Sequence, residues 1–377
     1  MKKRKKIAFV ANTAWYISNF KVNLLKYLES KGYEIYVITP LDDHLGYLNQ
    51  LEYTRHIPIN NLSRKGLNPF NELKLLIELY KIYKILQPDL ILHHTIKPNI
   101  YGSIAAKLLG LKSMMVFCGL GHVFMYKNFL HSIVTKLIKF ASQYSKKILF
   151  ENSDDLEYFI KNDIIPKEKG FAFRGGGIDT QYFKPLPPTR TDQKIVFTFI
   201  GRLMYGKGIR EFYEAAVWMK NKYPNSEFWI VGGIDSQNPS ALKANELLTW
   251  IESRVIKYWG QAADVRTYIR NSDCIVLPSY YREGFPKILQ EGMSMQKPIL
   301  TTDMPGCRDA LEEGKNGFCI IPRDSLNIGY AMEKIYLMSP EERTKLGEYG
   351  RKKAVKELDY TISNLIYGEF IREAIEK

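Results

Sequence analysis

Two carboxylates, Glu283 and Glu291, bracket the segment Glu283-Gly284-Phe285-Pro286-Lys287-Ile288-Leu289-Gln290-Glu291. At a strand-to-helix junction this spacing leaves Glu283 in the loop and carries Glu291 about two turns into the helix, so the two need not share one task. Ionised carboxylates accept hydrogen bonds from hydroxyls, and one could hold a sugar while the other holds a ribose. An ordinary acidic residue on a surface helix would give a similar spacing, but the Gly-Phe-Pro elbow weighs against that reading. Upstream, an apolar strand ending at Ile200 runs into Gly201-Arg202-Leu203-Met204-Tyr205-Gly206-Lys207-Gly208, which opens a helix. Glycines let the backbone approach a ligand, a helix start offers unpaired N–H groups, and Arg202 with Lys207 adds positive charge. Together they suit a diphosphate. A tight turn with two solvated cations has the same glycines, and its companions decide between the two.

These residues need a framework, and the apolar pattern supplies one. Lys6–Ala11 reads as a strand, Val22–Leu28 as a helix and Ile35–Thr39 as a strand. A helix near Glu72–Leu86, a strand at Leu90–His93, a helix at Ile100–Leu109 and a strand at Ser113–Phe117 follow. Strands alternating with helices predict a parallel sheet covered on both faces. Lys184–Gln193, KPLPPTRTDQ, gathers three prolines among polar residues and reads as a linker. Beyond it the pattern restarts with strand Ile195–Ile200, helix Ile209–Lys222, strand Glu227–Val231, strand Cys274–Leu277 and helix Lys287–Met295. The expected fold class is α/β, two Rossmann-like doubly wound domains whose ligand crevices face one another across a cleft.

With these motifs in order, the chain resembles the family 4 glycosyltransferases of GT-B fold. The resemblance is carried by the Arg202 and Lys207 turn, Val231-Gly232-Gly233, Gly260, Pro278-Ser279, the Glu283 and Glu291 pair, and Pro305-Gly306-Cys307-Arg308-Asp309 followed by Gly317. In the first half Asn68-Pro69-Phe70, Gly119-Leu120-Gly121 and Gly175-Gly176-Gly177-Ile178-Asp179 resemble members that build bacterial surface polysaccharides or glycans on polyprenyl diphosphate. The resemblance implies a retaining, metal-independent hexosyltransferase. Its donor would be a nucleotide sugar, a UDP-sugar carrying an N-acetylhexosamine or hexose, and its acceptor a lipid-linked glycan. It also implies a donor site of Gly201, Arg202, Lys207, Gly233, Gly260, Glu283, Gly284, Phe285, Pro286 and Glu291, with Arg202, Lys207 and Glu283 acting in catalysis. Arg202 and Lys207 would neutralise the diphosphate, Glu283 would hold the sugar and Glu291 the ribose. The leaving nucleoside diphosphate gains negative charge in the transition state, which is what such cations answer. No cofactor is implied. The chain has no Asp-x-Asp triplet, and Asp42-Asp43 and Asp154-Asp155 read as loop or helix-start residues, so no metal is expected.

On the acceptor side, relatives carry a histidine in the loop after what reads as the fourth strand of the first domain. Here that loop runs Val116-Phe117-Cys118-Gly119-Leu120-Gly121-His122, so Cys118 or Gly119 stands in its place and His122 is displaced. His122 is read first as a hydrogen-bonding loop residue and second as a base. His93 and His94 end a strand; one is expected in the core, while the other, His94, is a possible acceptor contact. The expected division is an acceptor domain over 1–185, a donor domain over 193–355 and a helix over 356–377 returning to the first domain.

Composition narrows the alternatives. The 377 residues, 45% hydrophobic and 25% charged, suit two soluble domains. The four cysteines form no paired motif, which fits a reducing cytoplasm. The formal charge of +14 is concentrated early: residues 101–150 hold seven lysines and arginines and no acid. Such a field suits an anionic membrane or polyanion. The stretch Phe124–Lys147 sets Phe124, Phe129, Ile133, Leu137, Ile138 and Phe140 among Lys127, Lys136, Lys139, Lys146 and Lys147. It could lie on a membrane surface or pack on the sheet with its lysines solvated. A peripheral place on the inner membrane face is the expectation. A nucleotide-sugar epimerase of the same build is the nearer rival; a nucleic-acid-binding protein rests on charge alone and lacks a recognition motif.

Overall fold

The computed structural model describes residues 4–63, 68–124, 128–235, 238 and 240–376. Each of two units is built on one parallel sheet. The first comprises Met1–Gly177 and Tyr360–Lys377, and the second Ile178–Asp359.

In unit 1 the strands β1 (Lys6–Val10), β2 (Glu34–Thr39), β3 (Thr54–Pro58), β4 (Leu90–His94), β5 (Ser113–Phe117), β6 (Lys147–Phe150) and β7 (Gly170–Ala172) lie in the order β3-β2-β1-β4-β5-β6-β7. Along the inner strands the side chains alternate between two buried faces, as the pleat requires. Ile7, Phe9, Leu90, Leu92, Met114 and Val116 point into one core, packed by α1 (Ala14–Phe20), α2 (Val22–Ser30) and the last helix of the chain. Ala8, Val10 and Ile91 point the other way, under α3 (Pro69–Leu86) and α4 (Ser103–Leu108). On that side Met115, Phe117, Ile148 and Phe150 are covered by α5 (Phe129–Ser142) and α6 (Ser153–Lys161). Sheets buried on both faces need the near-continuous apolar runs that these strands have. A π turn, Pro98–Gly102, leads into α4.

Unit 2 repeats the plan. Its strands β8 (Ile195–Ile200), β9 (Ser226–Val231), β10 (Ile256–Tyr258), β11 (Cys274–Leu277), β12 (Ile299–Thr302) and β13 (Gly317–Ile320) run β10-β9-β8-β11-β12-β13, all parallel. One hydrophobic core joins them to helices α7 (Ile209–Lys222), α8 (Ala244–Glu252), α9 (Arg266–Arg270), α10 (Lys287–Ser294), α11 (Ser325–Leu337) and α12 (Pro340–Lys353). Helix α13 (Tyr360–Glu376) then belongs to unit 1, where Tyr367 and Ile371 are buried against the α1 and α2 face.

The division falls earlier than the proline-rich segment. That segment is tied to unit 2: the backbone N–H and hydroxyl of Thr189 and the N–H of Arg190 donate to Asn271 Oδ1, and the Arg190 guanidinium pairs with Asp273. The basic stretch Phe124–Lys147 also divides. Phe124 and Ile138 are core, Leu137 is half-buried, Phe129, Ile133 and Phe140 are exposed, and Lys147 begins β6. Lys147 Nζ lies 2.9 Å from Glu373 on α13 and over the rings of Phe171 and Phe370. Lys127 lies outside the described residues.

Candidate functional site

In both sheets the strand order reverses beside the first strand. Ligands of open α/β sheets bind at the carboxyl edge at such a switch point. In unit 2 the point lies between β8 and β11, and the chain leaving these strands carries the two motifs picked out from sequence.

Three glycine-bearing turns close on one another there. Gly201 N–H donates to Val231 O at 3.0 Å, Leu203 N–H to Gly233 O at 3.0 Å, and Gly232 N–H to Gly260 O at 2.8 Å. Gly232 cannot be replaced without movement, since a Cβ there would stand 1.8 Å from Gly201 O. Gly208 begins α7 at φ +73°, and a Cβ would meet Pro278 O at 2.1 Å. This draws the Lys207 turn against the loop after β11. Lys207 Nζ lies 2.6 Å from Glu283 Oε1, with both side chains mostly buried, and Ser279 Oγ donates to the same oxygen at 3.0 Å. Cation and carboxylate, expected to act on different parts of a ligand, therefore meet directly. Arg202 is held elsewhere: its Nη1 lies 3.2 Å from Asp235 Oδ2, and the side chain is nearly half exposed.

The Glu283 loop is backed by the turn after β12. Gly306 has φ +78°, and its Cβ would lie 2.3 Å from Gly284 O and 2.7 Å from Glu283 O. The Cys307 thiol behind it is pushed up to about 12 by burial and the Glu283 charge, so it remains protonated and inert. Gly284, Phe285 and Pro286 are buried at the elbow, where Gln290 Nε2 donates to Phe285 O at 3.2 Å. Glu291 lies inside α10, buried, with Lys287 Nζ at 3.8 Å. Burial raises its pKa and the Lys287 charge opposes that rise. Thus Glu283 sits in the loop and Glu291 in the helix, and the first is paired far more closely than the second.

In unit 1 the two histidines that end β4 part company, because neighbours on a strand face opposite ways. His93 enters the α3 and α4 side. Tyr83 OH lies 3.0 Å from its Nε2 and Ser103 Oγ 3.2 Å from its Nδ1, and burial lowers its pKa to about 3. Gly102 makes room for it, since a Cβ there would meet the ring at 2.4 Å. His94 turns to the other side, stacked on Phe9 and tilted against Tyr16. Cys118 follows β5, the fifth strand by position in the chain, and its Sγ lies 2.8 Å from Tyr16 OH. Burial pushes that thiol far above its usual range. Gly119 takes a left-handed turn at φ +93°. The backbone of His122 lies in a short 3₁₀ turn, and its side chain lies outside the described residues.

Sequence reasoning missed several participants. Asp235, which holds Arg202, is one acid in a polar loop and carries no signal of its own. Nor does Lys21: it is fully buried, with Nζ 3.0 Å from Tyr367 OH and 3.3 Å from Glu151 Oε1. Asp42 caps α1, its Oδ2 accepting from the N–H groups of Ala14 and Trp15 at 2.8 and 3.1 Å. Asp154 and Asp155 stand in the first turn of α6. Among the described residues no group of three or more His, Cys, Asp or Glu could hold a metal ion, and no helix is long and apolar enough to cross a membrane.

Comparison with known proteins addresses both halves. Residues 185–353 match the sequence model described as glycosyl transferases group 1, and residues 6–152 match the one described as glycosyl transferase 4-like. The N,N′-diacetylbacillosaminyl-diphospho-undecaprenol α-1,3-N-acetylgalactosaminyltransferase of Campylobacter jejuni is 28% identical, over 90% of this chain and 91% of its own. The UDP-Gal:α-D-GlcNAc-diphosphoundecaprenol α-1,3-galactosyltransferase of Escherichia coli is 27% identical over 68% of each chain. Among solved structures, a glycosyltransferase from Rickettsia africae superposes with a TM-score of 0.80 at 19% identity, covering 100% of both chains. Anabaena HepE, solved with UDP and glucose, gives 0.79 at 16% identity over 98% of this chain and 100% of its own. These two likenesses speak for the fold. Since one model takes the β8 to α12 unit with its paired motifs and the other takes the β1 to β6 sheet, the chain belongs to the group 1 glycosyltransferases, with a 4-like amino-terminal half and the GT-B fold.

Proposed function

We propose that this glycosyltransferase moves a sugar from a UDP-sugar onto a lipid-linked glycan acceptor, with retention of configuration and without a metal. The observation that carries the donor assignment is the Lys207–Glu283 pair at the switch point of unit 2, 2.6 Å apart on the turns that leave β8 and β11. An ammonium already drawn to that edge is available to a diphosphate, and the carboxylate it partly releases is available to sugar hydroxyls. Arg202, Gly201, Gly233 and Gly260 complete the phosphate and nucleotide side, and Glu291 takes the ribose. The UDP in HepE and the diphospho-undecaprenol acceptors named for the Campylobacter and Escherichia proteins support the choice of ligands.

The retaining step is a front-face transfer in which the departing phosphate takes the acceptor proton. Lys207 and Arg202 offset the growing charge on the diphosphate, the task that a metal performs in other enzymes. The protein works from the inner membrane face, held by the exposed side of α5, where Phe129, Ile133 and Phe140 accompany Lys136.

The test is a panel of UDP-sugars incubated with a polyprenyl-diphosphate-linked N-acetylhexosamine. UDP release should occur with one or few donors, only when acceptor is present, and persist in EDTA. Release or interconversion of sugar without acceptor would favour an epimerase, and loss in EDTA restored by manganese would refute metal independence. The anomeric configuration of the product, read by NMR, decides retention.

A further inference from the structure

Unit 1 has its own switch point, between β1 and β4, and the carboxyl end of β4 leaves several buried polar atoms unsatisfied. His94, the last residue of β4, is completely buried, and neither ring nitrogen has a hydrogen-bond partner. The carbonyls of Leu92 and Val10 approach the ring without completing a bond. The next residue, Thr95, is β-branched yet takes φ +72°, and its buried Oγ1 is also without a partner. A β-branched residue in the left-handed region is strained, and such strain gathers at functional sites. Buried polar groups left without partners are uncommon and costly. His93, one residue back, has both nitrogens bonded, so this fold can satisfy an imidazole and at His94 does not.

We propose that His94 and Thr95 form a hydroxyl-binding site for the acceptor sugar, an assignment that rests on the glycosyltransferase reading above. The chemistry selects the ligand. Burial, with the Lys21 charge nearby, holds the His94 ring neutral. A neutral imidazole donates from one nitrogen and accepts at the other, and the Thr95 hydroxyl does both. A sugar hydroxyl also does both. An ionised phosphodiester offers only acceptors and an ammonium only donors, so either would leave half of the site unmet. Tyr16 is one of the rings that close over His94, its centroid 5.5 Å away, so the site requires Tyr16 to swing aside for a hydroxyl to reach the imidazole.

Two substitutions separate this role from a structural one. His94→Leu removes the unmet polar atoms, and Thr95→Gly removes both the strain and the hydroxyl, so each should leave the fold as stable as the parent or more so. The KM for the polyprenyl-diphosphate-linked N-acetylhexosamine should nevertheless rise about tenfold or more, the scale of one lost hydrogen bond of good geometry. The affinity for UDP should stay within about twofold, and Thr95→Ser should retain acceptor affinity. With six histidines in the chain, ring-labelled NMR can follow His94, assigned by its loss in His94→Leu. Its signal should move when a methyl glycoside of N-acetylglucosamine is added and stay fixed with inorganic phosphate. An unchanged acceptor KM in both variants, or a His94 signal that responds to phosphate alone, overturns the site. If His94→Leu does not fold, Thr95→Gly decides by the same KM. Failure of the parent to bind UDP would strike the glycosyltransferase reading itself, and it is seen in the first titration.

Discussion

Replacing Lys207 by alanine removes the cation from the donor edge while leaving the glycines that shape it. In the free protein the loss strands Glu283, mostly buried, with Ser279 among its remaining partners. Breaking a fully buried ion pair costs about 3–5 kcal/mol. This pair is slightly exposed and Glu283 keeps a hydroxyl donor, so a cost of about 1–3 kcal/mol to unit 2 is expected. With donor bound, the lost charge-assisted hydrogen bond contributes about 1.5–3 kcal/mol, or roughly 10- to 150-fold in UDP affinity. In the transition state the diphosphate carries more charge, and removing one such group costs on the order of 10² to 10³ in rate. Glu283→Gln perturbs the same pair from the other side. It frees Lys207 for phosphate, so UDP affinity should hold or improve while kcat falls. The assay is UDP binding by calorimetry beside steady-state transfer, with circular dichroism to verify the fold. A Lys207→Ala variant that folds and keeps kcat/KM within about threefold of the parent refutes the placement of the diphosphate. Equal losses of UDP affinity in Lys207→Ala and Glu283→Gln would refute the division between phosphate and sugar.

Glu291→Gln should weaken UDP binding more than it slows turnover at saturating donor, because a ribose contact is made in both ground and transition states; titration of the variant with UDP checks it. Replacing Phe129, Ile133 and Phe140 by Ser with Lys136 and Lys146 by Gln should abolish sedimentation with phosphatidylglycerol vesicles at low salt and spare UDP affinity. Lys147 is left out because it holds α13, and undiminished vesicle binding would remove α5 from the membrane contact. Acid should loosen unit 2 through Glu312, whose pKa is lowered from 4.5 to about 2 by hydrogen bonds from Tyr349 and Lys353. Between those values the unfolded chain binds the proton first, so this contribution is complete above about pH 4.5 and lost as pH falls toward 2. Glu312→Gln should flatten that part of the stability curve, followed by urea unfolding at several pH values.

The two-sheet architecture was legible because its central strands are buried on both faces and therefore read as plain apolar runs. That holds for β1, β2, β4, β5, β8, β9 and β11. Strands β3, β7, β10 and β13 escaped because an edge strand is short or half exposed and its residues need not be uniformly apolar. The inner strand β12 escaped too, since it is four residues long and half threonine. Strand β6 was hidden at the end of a basic helix, since nothing local separates Lys146 on the surface from Lys147 beneath α13. The donor motifs were legible for a related reason. Each is a run of neighbouring residues with a local conformational demand, glycine at positive φ or a proline opening a helix, and such demands are written into residue type. What the residues do to one another was not. Lys207 meets Glu283 only because β8 and β11 lie side by side, Arg202 is held by an acid on a different loop, and Thr95 takes φ +72° against the preference of a β-branched residue. The two histidines of β4 were a pair in sequence. Their opposite fates, one bonded in the core and one left unmet beside Tyr16, were decided by the pleat and by the helices laid on either face of the sheet. Residue type sets the conformations a segment can adopt; the pairing of strands distant in the chain sets which charges and polar atoms become neighbours.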